Sequence, residues 1–171
     1  SIDEDKFARP PAGVKHVVLD TPGGFRGFGL MKISMHADAI VIPAAPGVFD
    51  RAAAAESIKE LRSLPRVITG KCALACIGMR IDSRTRQAAE LASWAEDQGV
   101  PLLGTVRLAQ AYARCLEQGL SIFDFPSAKV SHYLGDWQTL NAWLDAIVSA
   151  APTVPGSPLS RPGAGKTANP A

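Results

Sequence analysis

Several features that would narrow the function at once are missing from the sequence. No apolar run approaches the roughly 18 residues that a membrane-spanning helix needs, so a spanning helix is excluded. The net charge is only +2, and it comes from Arg161 and Lys166 in the stretch 149–171, which contains no acid. The rest of the chain is neutral overall. Net charge therefore gives no argument for nucleic acid, and any basic site must be a local cluster.

Motifs of cysteine and histidine chemistry are also scarce. The three cysteines, Cys72, Cys76 and Cys115, are odd in number, and the C-x3-C spacing is not that of a CxxC metal or redox pair. We expect them to be reduced residues of the core, as in a cytosolic protein. The three histidines have no spacing that suggests a metal site, and the Gly-x-Ser-x-Gly motif of serine hydrolases does not occur.

What the sequence does contain is an alternation of strand and helix signals. Apolar residues make up 47% of the chain and charged residues 20%, as in an ordinary globular protein. Short apolar runs predict four strands, and helical periodicity separates them: 16–20, 38–43, 72–77 and 100–106. Strands that are apolar on both faces are typical of a covered parallel sheet. We therefore predict a doubly wound, mostly parallel α/β sheet with flanking helices.

The helix signals add detail to this prediction. Asp50 is a candidate N-cap for a helix that runs to about Leu64, and Asp82 or Ser83 for a second helix that stops at Gly99. Near the end of the chain, apolar residues recur at three- and four-residue steps from Val130 to Ile147, which predicts one packing helix.

The domain boundaries follow from composition. We expect a partly disordered lead-in over residues 1–15, an α/β domain over 16–148 and a disordered Pro/Gly-rich tail over 149–171. Because the sequence begins with Ser1 and shows no signal-peptide character, we also expect a piece of a longer protein.

The clearest polar feature at a strand end is Asp20, which is followed by Thr21-Pro-Gly-Gly24. Open α/β sheets bind ligands beyond the carboxyl ends of their strands. A carboxylate there, beside a glycine-rich turn, suits Mg²⁺ held through water next to phosphate. An acid that caps the following turn explains the same residues, and both interpretations stay open.

Arginines form a second candidate site at the same predicted edge. They could make a phosphate-facing patch, or they could be surface arginines paired with Glu56, Asp82 and Glu90. The arginines concerned are Arg51, Arg80, Arg84, Arg86 and Arg107.

A third motif, Gly163-Ala-Gly-Lys-Thr167, does not make a phosphate loop. The required first glycine falls at Ser160, and no strand precedes the motif.

Five segments of the chain are familiar together: 16–24 (HVVLDTPGG), 37–46 (ADAIVIPAAP), 79–86 (MRIDSRTR), 104–107 (GTVR) and 119–124 (GLSIFD). In this order and spacing they resemble the ParA/MinD-type deviant-Walker P-loop ATPases, which position chromosomes, plasmids and other large cargo. The resemblance covers about residues 16–147. The stretch between Thr21 and Ala37 and the closing segment with Trp137 and Trp143 look most like the ParA-like proteins found beside carboxysome genes.

The resemblance implies a mechanism and partners. ATP with Mg²⁺ joins two subunits into a homodimer, the dimer holds DNA non-specifically, and a ParB-like or cargo-adaptor protein stimulates hydrolysis. Such a protein works in the cytoplasm, on the nucleoid, without a membrane span.

The resemblance also implies roles for single residues. Asp20 would hold Mg²⁺ through water and, with Gly23 and Gly24 of the switch loop, form the catalytic group. The cofactor-binding positions would be Met79, Arg80, Asp82 and Arg107, and the DNA-binding positions Arg84, Arg86 and Arg107.

The sequence departs from the family in two places. Met79 stands where the family has an adenine-contacting Asn. The family's first strand, its Lys-containing phosphate loop and the following helix are missing, because only 15 residues precede His16 and a βαβ unit needs about 30. The alternatives are therefore an ATPase-inactive ParA-like binding or regulatory module, or an unrelated doubly wound domain with an acidic site at Asp20.

Overall fold

The computed structural model describes residues 13–14, 16–24 and 26–150. Its centre is a parallel sheet of three strands, β1 (Ala39–Ala44), β2 (Ala73–Met79) and β3 (Leu102–Val106), in the order β1-β2-β3. These strands confirm three of the four predicted runs. Nearly all of the predicted lead-in, and the predicted tail beyond residue 150 with its GAGKT motif, lie outside the described residues.

Helices surround this sheet, as the alternating sequence pattern predicts. A short 3-10 turn, Ile122–Asp124, lies between the fifth and sixth helices. The helices are α1 (Phe28–Ser34), α2 (Val48–Arg62), α3 (Pro65–Ile68), α4 (Arg86–Asp97), α5 (Gln110–Glu117), α6 (Ser127–Gly135) and α7 (Gln138–Ala150).

Two apolar clusters cover the two faces of the sheet. Cys76 packs in the first cluster, with Ile58 and Leu61 of α2 and Leu91 of α4. Its neighbours on β2, Ala75 and Ile77, pack in the second cluster, with Leu140 of α7. Because successive side chains of a strand point to opposite faces, α2 and α4 cover one face and α7 the other. The protein is an α/β structure whose central parallel sheet has helices on both sides.

The prediction of a strand at 16–20 is wrong. The structure has no strand in this segment, and Val17, Val18 and Leu19 are exposed, Val18 at 93%. β-branched residues fit a pleated, half-buried surface, but a strand also needs a neighbour to satisfy its backbone groups. No neighbouring strand among the described residues pairs with this segment.

Two predicted helix starts are also wrong. The N-cap of α4 is Thr85, whose side-chain oxygen accepts the N–H of Ala88, and not Asp82 or Ser83. The N-cap of α2 is Gly47, with Asp50 in the first turn. Each predicted cap lay two or three residues from the actual one. Before α4 the capping residues Asp82, Ser83 and Thr85 stand close together, and local sequence does not choose between them. At α2 the helix begins one turn earlier than Asp50, at a glycine that makes no side-chain cap.

The predicted single helix at the end of the chain is two helices, α6 and α7, which meet at Asp136 and Trp137. Asp136 is the C-cap of α6, and its carboxylate reaches back to Arg107 at the end of β3. This tertiary contact explains the break in an otherwise continuous apolar stripe.

Gly78 shows how closely the sheet packs near its carboxyl edge. A Cβ added there would lie 2.7 Å from Thr105 Cγ2 and 3.0 Å from Leu91 Cδ2. We expect Gly78→Ala to lower the free energy of unfolding by about 1–3 kcal/mol, because Thr105 is buried and must move. Urea unfolding measures the change. In the control, Gly135→Ala, the new Cβ meets nothing within 4 Å, and its stability should stay within about 0.5 kcal/mol of wild type. Equal losses in both variants would contradict this packing.

Candidate functional site

The carboxyl ends of the three strands lie at one edge of the sheet, because all three run parallel. β1 ends at Ala44, β2 at Met79 and β3 at Val106. Arg80 and Arg107 are the residues that directly follow β2 and β3. Ligands of open α/β sheets bind at this edge, so the structure places these two predicted site residues in the expected position.

Arg80 has an unusual backbone. Its φ is +60°, the left-handed conformation that non-glycine residues rarely adopt, at a cost of roughly 1–2 kcal/mol. The residues on both sides hold it there. Met79 ends β2, and the N–H of buried Ile81 donates to the carbonyl of Val106 on β3. The Arg80 side chain is exposed at the carboxyl edge.

Asp82 and Arg84 form a compact ion pair just beyond Arg80. The Asp82 carboxylate accepts two hydrogen bonds from the Arg84 side chain, from Nε at 3.1 Å and from Nη2 at 2.9 Å. It accepts a third from the Arg84 backbone N–H at 3.0 Å. These hydrogen bonds, those of the side chain first, hold the pKa of the Asp82 carboxyl far below its usual range. The predicted cofactor residue Asp82 thus binds the predicted DNA-binding residue Arg84.

Arg86 is the first residue of α4 and pairs along the helix with Glu90. Its Nε lies 2.9 Å from Glu90 Oε1, the i,i+4 spacing that brings side chains together on a helix face. Both pairs are on the surface, with the side chains of Arg84 and Arg86 85% and 91% exposed. Asp82 and Glu90 are two of the three partners expected if these arginines are ordinary surface residues.

Arg107 makes the strongest ion pair at this edge. Its Nε and Nη2 each donate to the Asp136 carboxylate at 2.7 Å, and its backbone N–H donates as well, at 3.2 Å. The Asp136 side chain is only 9% exposed and that of Arg107 35%. Burial by itself raises the pKa of the Asp136 carboxyl, but the hydrogen bonds from Arg107 outweigh burial and lower it.

These charges form one group between the ends of β2 and β3. The charge of Arg107 helps to lower the pKa of Asp82 and opposes the rise in the pKa of Arg84. The charge of Asp82 in turn acts to raise the pKa of Asp136. The structure therefore brings together the predicted residues Asp82, Arg84 and Arg107. Each of these two arginines has its own carboxylate, so the group is a neutral network of alternating charge.

Met79, the predicted position beside adenine, packs against the second apolar cluster. Its side chain is half-buried on the face of the sheet that α7 covers. The structure gives it a packing role in the core.

Among the described residues, no hydrogen bond or ion pair links Asp20, Gly23 or Gly24 to this group. All three are exposed, and no strand leads into Asp20. Among the described residues, Asp20 makes no hydrogen bond or ion pair. A Cβ added at Gly23 or Gly24 would meet nothing within 4 Å, so the turn encloses no ligand space.

The described residues do not fit a magnesium–triphosphate group. No three potential metal ligands of the His, Cys, Asp or Glu type gather anywhere in 13–14, 16–24 or 26–150. The backbone N–H cradle with its lysine that holds phosphates in P-loop proteins has no counterpart in these segments.

Sequence reasoning missed Asp136. It lies 29 residues after Arg107, and no motif links the two positions. A usable signal was the acid itself, which interrupts the apolar stripe between Leu134 and Trp137. An acid at the border of a core is most often paired, and an arginine at a strand end is a suitable partner.

Comparison with known proteins does not identify a relative. No protein-family model matches the chain, and no curated protein matches it. None of the helices in the described part of the chain is long and apolar enough to cross a membrane.

Proposed function

We propose that this chain is part of a ParA-like ATPase that positions DNA or protein cargo, and that it works with a phosphate-binding loop that its own sequence does not supply. In this proposal, ATP with Mg²⁺ drives formation of a homodimer. The dimer holds DNA on the nucleoid, and a ParB-like or cargo-adaptor protein stimulates its release.

The observation that carries the proposal is the open outer edge of β1. The N–H of Ala73 on β2 donates to the carbonyl of Asp38, just ahead of β1. The backbone N–H and C=O groups of successive strand residues point to opposite sides of the strand. Those of residues 40, 42 and 44 therefore point toward β2, as the carbonyl of Asp38 does. Residues 39, 41 and 43 therefore face outward, where no described strand pairs with them.

The exposed segment 16–20 supports the same proposal. It has the composition of a buried strand, yet Val17, Val18 and Leu19 face solvent. A sheet without one of its strands exposes both an unpaired edge and apolar side chains that the missing unit would cover. A further βαβ unit, such as the first unit of the P-loop ATPases, would supply both the strand and the phosphate loop.

The second candidate function is an ATPase-inactive ParA-like binding or regulatory module. Met79 favours this alternative, since its side chain packs in the core and offers no hydrogen bond to adenine. In this case the charged network at the carboxyl edge would be a binding surface without nucleotide chemistry.

Equilibrium binding of ATP with Mg²⁺ separates the two functions. We expect the 171-residue chain to show no binding at micromolar ATP in isothermal titration calorimetry, because residues 13–14, 16–24 and 26–150 contain no N–H cradle with a phosphate-binding lysine. The protein extended by the coding sequence upstream of Ser1 should bind ATP in this range and carry a Lys-Gly-Gly-x-Gly-Lys-Thr-like stretch.

Two results would contradict the leading proposal. Micromolar ATP binding by the 171-residue chain would show that a separate phosphate loop is not needed. A start codon at or next to the codon for Ser1 would leave no room for the missing unit, and the inactive module would then be the better explanation.

A further inference from the structure

The outer edge of β1 and the segment 16–20 are two incomplete features of the same chain. The backbone groups that β1 turns outward are paired with no described strand. The segment carries three apolar residues in a row, yet Val18 is 93% exposed, and Val17 and Leu19 are more than half exposed. An open strand edge is a template for pairing, and bare apolar side chains are stabilised by burial. A contact between the two features would satisfy both.

The connection between the two features has the length and the position of a crossover. The 18 residues 21–38 join the segment to β1, and a parallel connection needs only about a dozen. Within this connection, Leu30 of α1 packs against the first apolar cluster, as do residues of α2 and α4.

The face on which α1 lies also fits the topology. The helices α2 and α4 each connect neighbouring strands of the sheet, in the order β1-β2-β3. A strand placed on the outer side of β1 and connected through α1 would continue this order, with its helix on the same face. Its connection would therefore have the same hand as the two that exist, and one hand is strongly preferred for such units.

Both faces of β1 offer apolar neighbours to a strand beside it. Ile40 and Ile42 lie with the first apolar cluster, and Val41 packs against the second. Because the side chains of a strand alternate between the faces, the added strand would bury apolar residues on both. Consecutive apolar residues at 17, 18 and 19 suit this position, whereas a strand with one face in water would alternate them with polar residues.

We propose that segment 16–20 is a closing strand, which pairs in parallel with the outer edge of β1 and shields this edge from other chains. The structure shows the segment unpaired, which is the open form. The inference does not depend on the proposed ATPase, since both features lie within this chain. In the longer protein, the closing strand would have to leave the edge before the strand of a further βαβ unit could take its place.

The test is amide hydrogen exchange of the full 171-residue chain, followed by NMR at Val41 and Ile42. The N–H of Val41 points outward, whereas that of Ile42 points toward β2 and is the internal reference for the sheet. Val17→Pro with Val18→Pro removes two successive N–H groups, one of which faces β1 in either register. We expect Val41 to exchange about tenfold faster in this double variant than in the wild type, with Ile42 unchanged.

Val17→Ile with Val18→Ile is the matched control, because it keeps both N–H groups and the branched apolar side chains. Its Val41 should exchange at the wild-type rate. Equal exchange of Val41 in the wild type and the proline variant would overturn the closing strand. Protection of Val41 that is lost on dilution from about 200 µM to about 10 µM would overturn it too, because the strand would then come from a second copy. Neither result bears on ATP binding, so the proposed function is tested separately.

Discussion

Arg107→Ala is expected to lower the free energy of unfolding at pH 7 by about 3 kcal/mol, although it changes a residue on the rim of the sheet. The reason is Asp136, whose buried carboxylate would lose two of its three hydrogen bonds and the one cation that pairs with it among residues 26–150. Removing one partner of a buried ion pair leaves an uncompensated charge, at a cost of about 3–5 kcal/mol. Urea unfolding at pH 7 measures the effect.

The opposite change should be less damaging. In Asp136→Ala the remaining guanidinium of Arg107 is partly exposed and can turn to water. We expect a loss of about 1–2 kcal/mol, in the range for a lost charged hydrogen bond. The double variant should be more stable than Arg107→Ala alone, because the unpaired charge is gone. As a control, Arg114→Ala removes an exposed arginine of α5 and should cost less than about 0.5 kcal/mol.

The pH dependence gives a second readout of the same pair. The folded state lowers the pKa of Asp136 below 3.8, so in the wild type its stabilising effect is complete above that pH and is lost as the pH falls through the folded pKa. In Arg107→Ala the pKa of Asp136 is still raised by burial but is no longer lowered by the arginine, so this carboxyl should take up a proton at a higher pH. The gap in stability between the two proteins should therefore narrow from pH 7 to pH 4. A constant gap would mean that Arg107 acts through packing alone.

The second large effect is expected for DNA affinity. Reversing both exposed charges, with Arg84→Glu and Arg86→Glu, should reduce binding of a 30-base-pair DNA duplex about 100-fold at 50 mM NaCl, because four carboxylates would then face the phosphates. Both side chains are almost fully exposed, so the fold should persist. Arg107 is kept unchanged because its reversal would place two carboxylates together and unfold this edge.

The control for this experiment is the pair Lys59→Glu and Arg114→Glu, which changes the net charge by the same amount on α2 and α5. A site at the carboxyl edge predicts a loss of less than about threefold in the control at 50 mM NaCl, where distant charges are screened. If both double variants lose affinity equally, binding follows total charge and no local site exists.

The parts of the fold that depend on local patterns could be predicted from the sequence. The strands around Val41, Cys76 and Leu103 are short apolar runs with breakers on both sides, and the structure has a strand at each. The buried faces of α2 and α4 also follow from spacing, as Ala54, Ile58 and Leu61 show. These features depend on which residues are apolar and how they repeat, which the sequence states directly.

Features that depend on distant partners could not be predicted. The run at 16–20 has the right residues for a strand, but pairing depends on a neighbour that local sequence does not report. The break between α6 and α7 depends on Arg107, which is far from Asp136 in the sequence. In the candidate site, chain order alone places Arg80 and Arg107 at the carboxyl edge. Which arginine pairs with which carboxylate depends on the three-dimensional arrangement of the loops and helices at this edge, and local sequence does not report it.

The open edge of β1 also bears on aggregation. Pro43 is one of the three outward-facing residues of this strand, and it has no N–H to donate. If two copies of the protein paired through β1 in a symmetric antiparallel arrangement, each would bring its Pro43 into the shared hydrogen-bond ladder. Two backbone N–H donors would then be missing between the two strands. A single strand from another segment would lose only one. Proline at an exposed edge is a common protection against self-pairing, and here it favours a specific strand over a second copy of β1.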